Sequence, residues 1–182
     1  MADFIEAQIG AFRWVVRPEL RNLLLGPEGL RLDDWLRAGR ARVIKQGPHR
    51  AVWSVVLPGL DFHLKHNRVM DVRAWLRELV RPAKAHSEFD IARAIAARGV
   101  PTIEPLAFGE RIGQPGESFL ITRSLVGAVP LQAYLDTAMP ALPRQALARE
   151  LGRFVARLHA AGVRHDDLHQ GNILIRDRKS VV

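Results

Sequence analysis

Apolar and polar residues alternate most regularly between residues 51 and 65. Ala51-Val52-Trp53-Ser54-Val55-Val56-Leu57 and Leu60-Asp61-Phe62-His63-Leu64-Lys65 flank Pro58-Gly59, which predicts two strands joined by a tight turn. Successive side chains of a strand point to opposite sides, so Leu60, Phe62 and Leu64 share one face and Asp61, His63 and Lys65 the other. Lys65, read as the end of this strand, therefore points away from the apolar side. From 70 to 81 the period becomes helical: Val72, Trp75, Leu76, Leu79 and Val80 form a stripe, Arg73, Arg77 and Arg81 lie opposite, and Pro82 stops the helix. A second helix is predicted over 87–98, with Ser87 as N-cap, Ile91 and Ile95 on the buried side, and Gly99 and Pro101 past its end.

Strands return over 103–108 and 118–122, with Gly113-Gln114-Pro115-Gly116 between them as a hairpin loop. Helices are expected at 131–135 and 143–161, the longer one with Pro143 at its first position, Gly162 just beyond it, and the stripe Leu147, Leu151, Phe154, Val155, Leu158. Sheet with an inserted helix, followed by helices, is an α+β order. It divides the chain into an extension of unassigned role (1–40), an antiparallel-sheet lobe (41–126) and a mainly helical part (127–182), with a break in composition at Gly127 to Pro130.

Composition narrows the chemistry. The 182 residues are 48% hydrophobic and 25% charged, as in a soluble globular protein with a real core. Cysteine is absent, which excludes disulfides, thiolate metal ligands and a cysteine nucleophile. The N-terminus lacks a basic region followed by an apolar one, and no apolar run approaches the ~20 residues of a membrane span, so a cytoplasmic protein is expected. The net charge of +8 favours anionic partners, among them nucleotides, phosphorylated glycolipids, a membrane surface or nucleic acid, although a solvated basic surface alone would look the same.

The densest chemistry is His165-Asp166-Asp167-Leu168-His169-Gln170-Gly171-Asn172, between a capped amphipathic helix and the apolar Ile173-Leu174-Ile175. Its H-x-D-L-x-x-x-N spacing is that of a phosphotransferase catalytic loop. There the Asp accepts the proton of the attacking hydroxyl and the Asn carbonyl oxygen helps hold magnesium against nucleotide phosphates. Two further residues precede it in order: Lys65 on the alternating strand and Glu88 in the first turn of the next helix. Singly, each has a plain alternative, a solvated charge for Lys65 and a helix-dipole acid for Glu88.

Together these residues resemble the bacterial lipopolysaccharide kinases (Kdo and heptose kinases), a branch of the protein-kinase-like superfamily. The resemblance runs from about Ala41 to Arg176. It rests on the loop, on Phe62-His63-Leu64-Lys65, Ser87-Glu88-Phe89, Gly99-Val100-Pro101-Thr102, Ala107-Phe108-Gly109-Glu110 and Leu158-His159-Ala160-Ala161-Gly162-Val163. It implies that Lys65 binds the phosphates of ATP, Glu88 orients Lys65, Asp167 is the base, Asn172 ligates Mg2+ and His165 is scaffold. It also implies that 120–125 is a hinge reading adenine through its backbone. The implied acceptor is a hydroxyl of a lipopolysaccharide core sugar on an anionic glycolipid, reached by peripheral contact with the inner membrane surface, and no nucleic acid partner is implied. The Arg73, Arg77, Arg81 face would suit such a surface.

Three departures from the family pattern stand out. Lys45-Gln46-Gly47-Pro48-His49-Arg50 carries one glycine where a phosphate-covering loop has several, leaving Lys45 or Arg50 as substitutes. Asp166 stands where protein kinases carry an Arg, so control by a phosphorylated activation loop is not expected. The magnesium-binding aspartate of a D-F-G-type motif belongs beyond the strand after Asn172, and the sequence ends at Val182. The expectation is therefore a truncated chain, a fragment or one completed by a second polypeptide, inactive alone and with the stripe of its long helix partly uncovered. The rival readings are a pseudokinase that binds nucleotide or a partner without catalysis, and a metal-dependent phosphohydrolase using His165, Asp166, His159, Asp167 and His169.

Overall fold

The computed structural model describes residues 4–69, 82–113, 116–137, 140–163, 168–176 and 180–181. The helix expected over 70–81 and the loop residues His165, Asp166 and Asp167 lie outside them. In chain order the elements are β1 (Ile5–Ile9), β2 (Phe12–Val16), a 3-10 turn (Pro18–Leu20), α1 (Arg21–Leu24), β3 (Leu25–Gly26), β4 (Gly29–Leu30) and α2 (Leu32–Arg37). Next come β5 (Ala41–Gln46), β6 (Arg50–Leu57), β7 (Leu60–Arg68), α3 (Lys84–Ala97), β8 (Pro105–Arg111) and β9 (Glu117–Arg123). The chain continues with β10 (Val129–Pro130), α4 (Leu131–Leu135), α5 (Ala141–Ala160), a second 3-10 turn (Gln170–Asn172), β11 (Leu174–Arg176) and β12 (Ser180–Val181). They fall into two compact units, Met1–Arg93 with Glu104–Ser124, and Ala94–Ile103 with Leu125–Val182.

The first unit is built on a seven-stranded antiparallel sheet in the order β1-β2-β8-β9-β7-β6-β5. Residues 5–16, to which the sequence reading gave no role, supply two of its strands. Ile5, Ala7 and Ile9 alternate with Glu6 and Gln8, a two-residue loop at Gly10-Ala11 turns the chain, and β2 then pairs with β8. One sheet face buries Trp14, Trp53, Val55, Phe62, Leu64 and Ile121 beneath Leu24, Leu25 and Trp35 from the α1–α2 region. On the other face, Ala85 and Phe89 of α3 are fully buried against Phe108 and Leu120.

Several local expectations shift. Strand β7 runs on to Arg68, so Lys65 is interior to it rather than terminal. Helix α3 begins at Lys84, and the Ser87 N–H donates to the Ala83 carbonyl at 3.0 Å, which puts Ser87 inside the first turn instead of at the N-cap. Ile91 is 58% exposed: the sheet accepts α3 through the i, i+4 pair Ala85 and Phe89, and Ile91 falls off that stripe. Helix α5 begins at Ala141, so Pro143 is its third residue, still within the turn where a missing N–H costs nothing.

The second unit packs α4 and α5 with a three-stranded sheet, β10-β11-β12. Leu147, Phe154 and Leu158 of the α5 stripe are at most 7% exposed, packed with Leu131, Val163, Ile173 and Ile175, while Leu151 and Val155 are half-buried. Helices α3 and α5 end alike. After α5, the Gly162 N–H bonds to the His159 carbonyl and the Val163 N–H to the Leu158 carbonyl, both at 2.9 Å, with Gly162 at φ +64°. After α3, Gly99 bonds to Ala96 and Val100 to Ile95 in the same pattern. The two valines that follow the glycines are buried in one cluster.

Gly109 is the tightest point of the sheet. It lies opposite Trp14 on β2 and Phe119 on β9, and those two rings stack with centroids 5.6 Å apart. A Cβ at Gly109 would stand 2.6 Å from the Trp14 ring. Gly109→Ala is expected to destabilise the fold by about 1–3 kcal/mol, read as a lowered Tm in thermal melts followed by circular dichroism.

Candidate phosphate-binding site

Lys65 and Glu88 meet within the first unit. The Lys65 Nζ donates to Glu88 Oε2 at 3.1 Å, and each side chain is 29% exposed. Strand alternation aims Lys65 at the face on which α3 lies, and the burial of Ala85 and Phe89 fixes the rotation of α3 that turns Glu88 toward it. A pair of this exposure is worth on the order of 1 kcal/mol, so it orients the ammonium more than it stabilises the fold.

His63, two residues back, shares the face of Lys65 and its Nδ1 lies 3.0 Å from Ser124 Oγ. Burial holds the His63 imidazole below its ordinary pKa, and the charges of Lys65 and Arg42 push it the same way. Lys65 and Arg42 thus lie close enough to His63 to disfavour a further positive charge there, and Lys65 is itself paired with Glu88. On β6, Val52 lies opposite Lys65 and Ser54 opposite His63, giving that face apolar and hydroxyl groups between the cations.

The opposite face of β7 carries a second titrating group. His66 is buried, stacked on Phe119 at 4.2 Å, and its Nε2 lies 2.8 Å from Glu117 Oε1. Burial lowers its pKa and the Glu117 contact raises it; burial wins because aromatic rings exclude water, so a neutral imidazole donates its Nε2–H to the carboxylate. Glu117 keeps a charged partner in Arg111 at 3.0 Å.

Asn172 belongs to the second unit, as the last residue of the 3-10 turn. The Gly171 N–H donates to His169 Nδ1 at 3.0 Å, and the Asn172 N–H to the His169 carbonyl at 2.9 Å. That ring nitrogen of His169 is thus a capping acceptor rather than a metal ligand. Ile173 and Ile175 are buried immediately afterwards and leave Asn172 exposed at the strand entrance, where its amide oxygen is a hard ligand of the kind Mg2+ takes. Among the described residues no cluster of three or more His, Asp or Glu could hold a metal ion. The structure thus joins Lys65 with Glu88, places Asn172 in the other unit, and leaves Asp167 outside the described residues. His63 was missed as a site neighbour, although its place in the alternation with Lys65 was legible.

His63 and His66 make stability pH-dependent. Both favour the neutral ring in the fold, so between the lowered folded pKa and the ordinary value of 6.5 the unfolded chain binds more protons. Their contribution is full above that value and is lost as pH falls below it. Melting curves between pH 7.5 and 5.5 should show the Tm falling on acidification, with a shallower slope in His66→Gln.

Comparison with known proteins places the chain. The model of the lipopolysaccharide kinase (Kdo/WaaP) family matches residues 37–181. The chain is 32% identical over 103 residues to lipopolysaccharide core heptose(I) kinase WaaP of Pseudomonas aeruginosa, covering 53% of this chain and 38% of that protein. It is 27% identical over 148 residues to 3-deoxy-D-manno-octulosonic acid kinase of Stenotrophomonas maltophilia, covering 74% and 55% respectively. The chain thus spans about half the length, or less, of these curated relatives. A solved structure of WaaP in complex with acyl carrier protein superposes with a TM-score of 0.63 at 23% identity, over 93% of this chain and 66% of that one, which establishes the protein-kinase-like α+β fold. Sequence match and fold agree over most of its length: the chain belongs to the lipopolysaccharide kinase (Kdo/WaaP) family.

Proposed function

We propose that this chain is the nucleotide-binding part of an ATP-dependent kinase that phosphorylates a hydroxyl of a lipopolysaccharide core sugar. The observation that carries this reading is the Lys65–Glu88 pair at 3.1 Å, joining strand β7 to helix α3. Lys65 holds the phosphates of ATP, and Glu88 holds Lys65 in place so that it does not swing into solvent. Asp167 takes the proton of the acceptor hydroxyl as its oxygen attacks the γ-phosphorus, and the bond from that phosphorus to the bridging oxygen breaks to release ADP. Asn172 supplies an oxygen ligand to Mg2+, which when bound would neutralise charge on the phosphates.

The anionic acceptor fits the charge. The chain carries a net +8, and Arg149, Arg153 and Arg157 recur every four residues on α5, exposed to solvent, with Arg153 also bonded to Glu150. Among the described residues no helix is long and apolar enough to cross a membrane, so contact with a glycolipid would be peripheral.

The test is transfer of labelled γ-phosphate from ATP to a lipopolysaccharide core acceptor, with Mg2+ present. The proposal expects ATP binding by the chain with little transfer when it acts alone, and whatever labelled acceptor forms reduced roughly 10²–10⁴-fold by Asp167→Ala. Transfer that survives the substitution would remove Asp167 as the base. Absence of ATP binding by the unaltered chain would contradict the proposal.

A further inference from the structure

The helix that carries Glu88 is gripped by the N-terminal hairpin. Phe4, immediately before β1, meets Phe89 edge-on with ring centroids 4.9 Å apart, and Phe89 is in turn 4.8 Å from Phe108. The Arg93 guanidinium, one helical turn beyond Phe89, lies 5.0 Å from the Phe4 centroid and 5.6 Å from that of Phe89. Arg17 reaches the same Phe4 ring at 5.5 Å and is anchored to Glu104 at 2.6 Å. Phe4 is thus contacted by a cation of the helix and by a cation just past β2, beside the ring that seats α3. These residues all belong to the first unit, and Phe4 precedes the span that the family model matches.

We propose that Phe4 is a positioning residue: through Phe89 it sets the rotation of α3 and so keeps Glu88 on Lys65. Glu88 and Phe89 are adjacent, about 100° apart on the helix, so any roll of α3 that frees the Phe89 ring also withdraws the Glu88 carboxylate. His86 supplies a second anchor, its ring 4.5 Å from that of Phe108 and its Nδ1 3.4 Å from Glu110, which Arg13 of β2 also holds, and Val15 of β2 packs on the same cluster. Phe4 is the contact that joins the hairpin directly to the Phe89 ring, next to Glu88. The role for nucleotide binding rests on the proposed function above; the coupling of Phe4 to the pair does not.

Two measurements on the full chain separate the two. The first is the rate at which Lys65 is acylated by N-hydroxysuccinimidyl acetate, followed by peptide mass spectrometry with no nucleotide present. Phe4→Ala and Glu88→Gln should each speed it, and the double variant should be no faster than Glu88→Gln. The second is ATP affinity with Mg2+: Phe4→Ala should weaken binding roughly three- to tenfold, Phe4→Leu less, and neither should matter in a Glu88→Gln background. Thermal melts identify a variant that fails to fold, in which case Phe4→Leu, which keeps an apolar side chain but loses the ring contact with Phe89, takes its place with smaller changes of the same sign. An unchanged Lys65 acylation rate in folded Phe4→Ala, or equal losses of ATP affinity in both backgrounds, overturns the inference. Absence of ATP binding by the unaltered chain, with Lys65 acylation responding as expected, sinks the nucleotide reading and leaves the positioning intact.

Discussion

The burial of Phe89 and Ala85 against Phe108 and Leu120 is the contact on which the rest of the first unit's chemistry depends. Lys65 and Glu88 lie 23 residues apart in the chain, and an ion pair worth about 1 kcal/mol cannot by itself order so long a connection. Apolar burial brings the helix to the sheet, and the pair then fixes which side of the helix faces the lysine. Phe89, fully buried and with ring neighbours in Phe4 and Phe108, contributes far more to that docking than the charges do.

Strand β7 serves two purposes because its alternation separates them. Leu60, Phe62, Leu64 and His66 face the core capped by the N-terminal helices, while His63 and Lys65 face the other way. A slip of one residue in its pairing with β6 and β9 would bury Lys65 and expose Phe62, so the register of core and site is one constraint. Gly109 enforces it from the far side of the sheet, where only a residue without a side chain lets Trp14 cross over β8.

Much of this was legible from the residues. The 51–65 hairpin, the α3 and α5 glycine stops and the Lys65–Glu88 pairing follow from patterns whose physics is local or from the family resemblance. What escaped has identifiable causes. The β1 alternation of Ile5, Ala7 and Ile9 is present but short and weakly apolar, and the hairpin joins the sheet only where β2 pairs with β8, some hundred residues away. Ser87 has good N-cap chemistry, yet α3 starts three residues earlier because Ala85 has a fully buried place on the sheet. Ile91 outranks Ala85 in hydrophobicity, but the shape of the sheet decides which stripe is buried. Asn172 is seated with His169 as cap and Ile173 and Ile175 as anchors, while Asp167 of the same loop lies outside the described residues.

The central claim is that Lys65 recognises the phosphates of a nucleotide rather than a base or a sugar. Calorimetric titration of the chain and of Lys65→Ala with ATP and with adenosine tests it directly. The account predicts at least a roughly tenfold loss of ATP affinity, as expected for a charged contact, with adenosine affinity unchanged. Equal losses for both ligands, or ATP affinity untouched by the substitution, would contradict it.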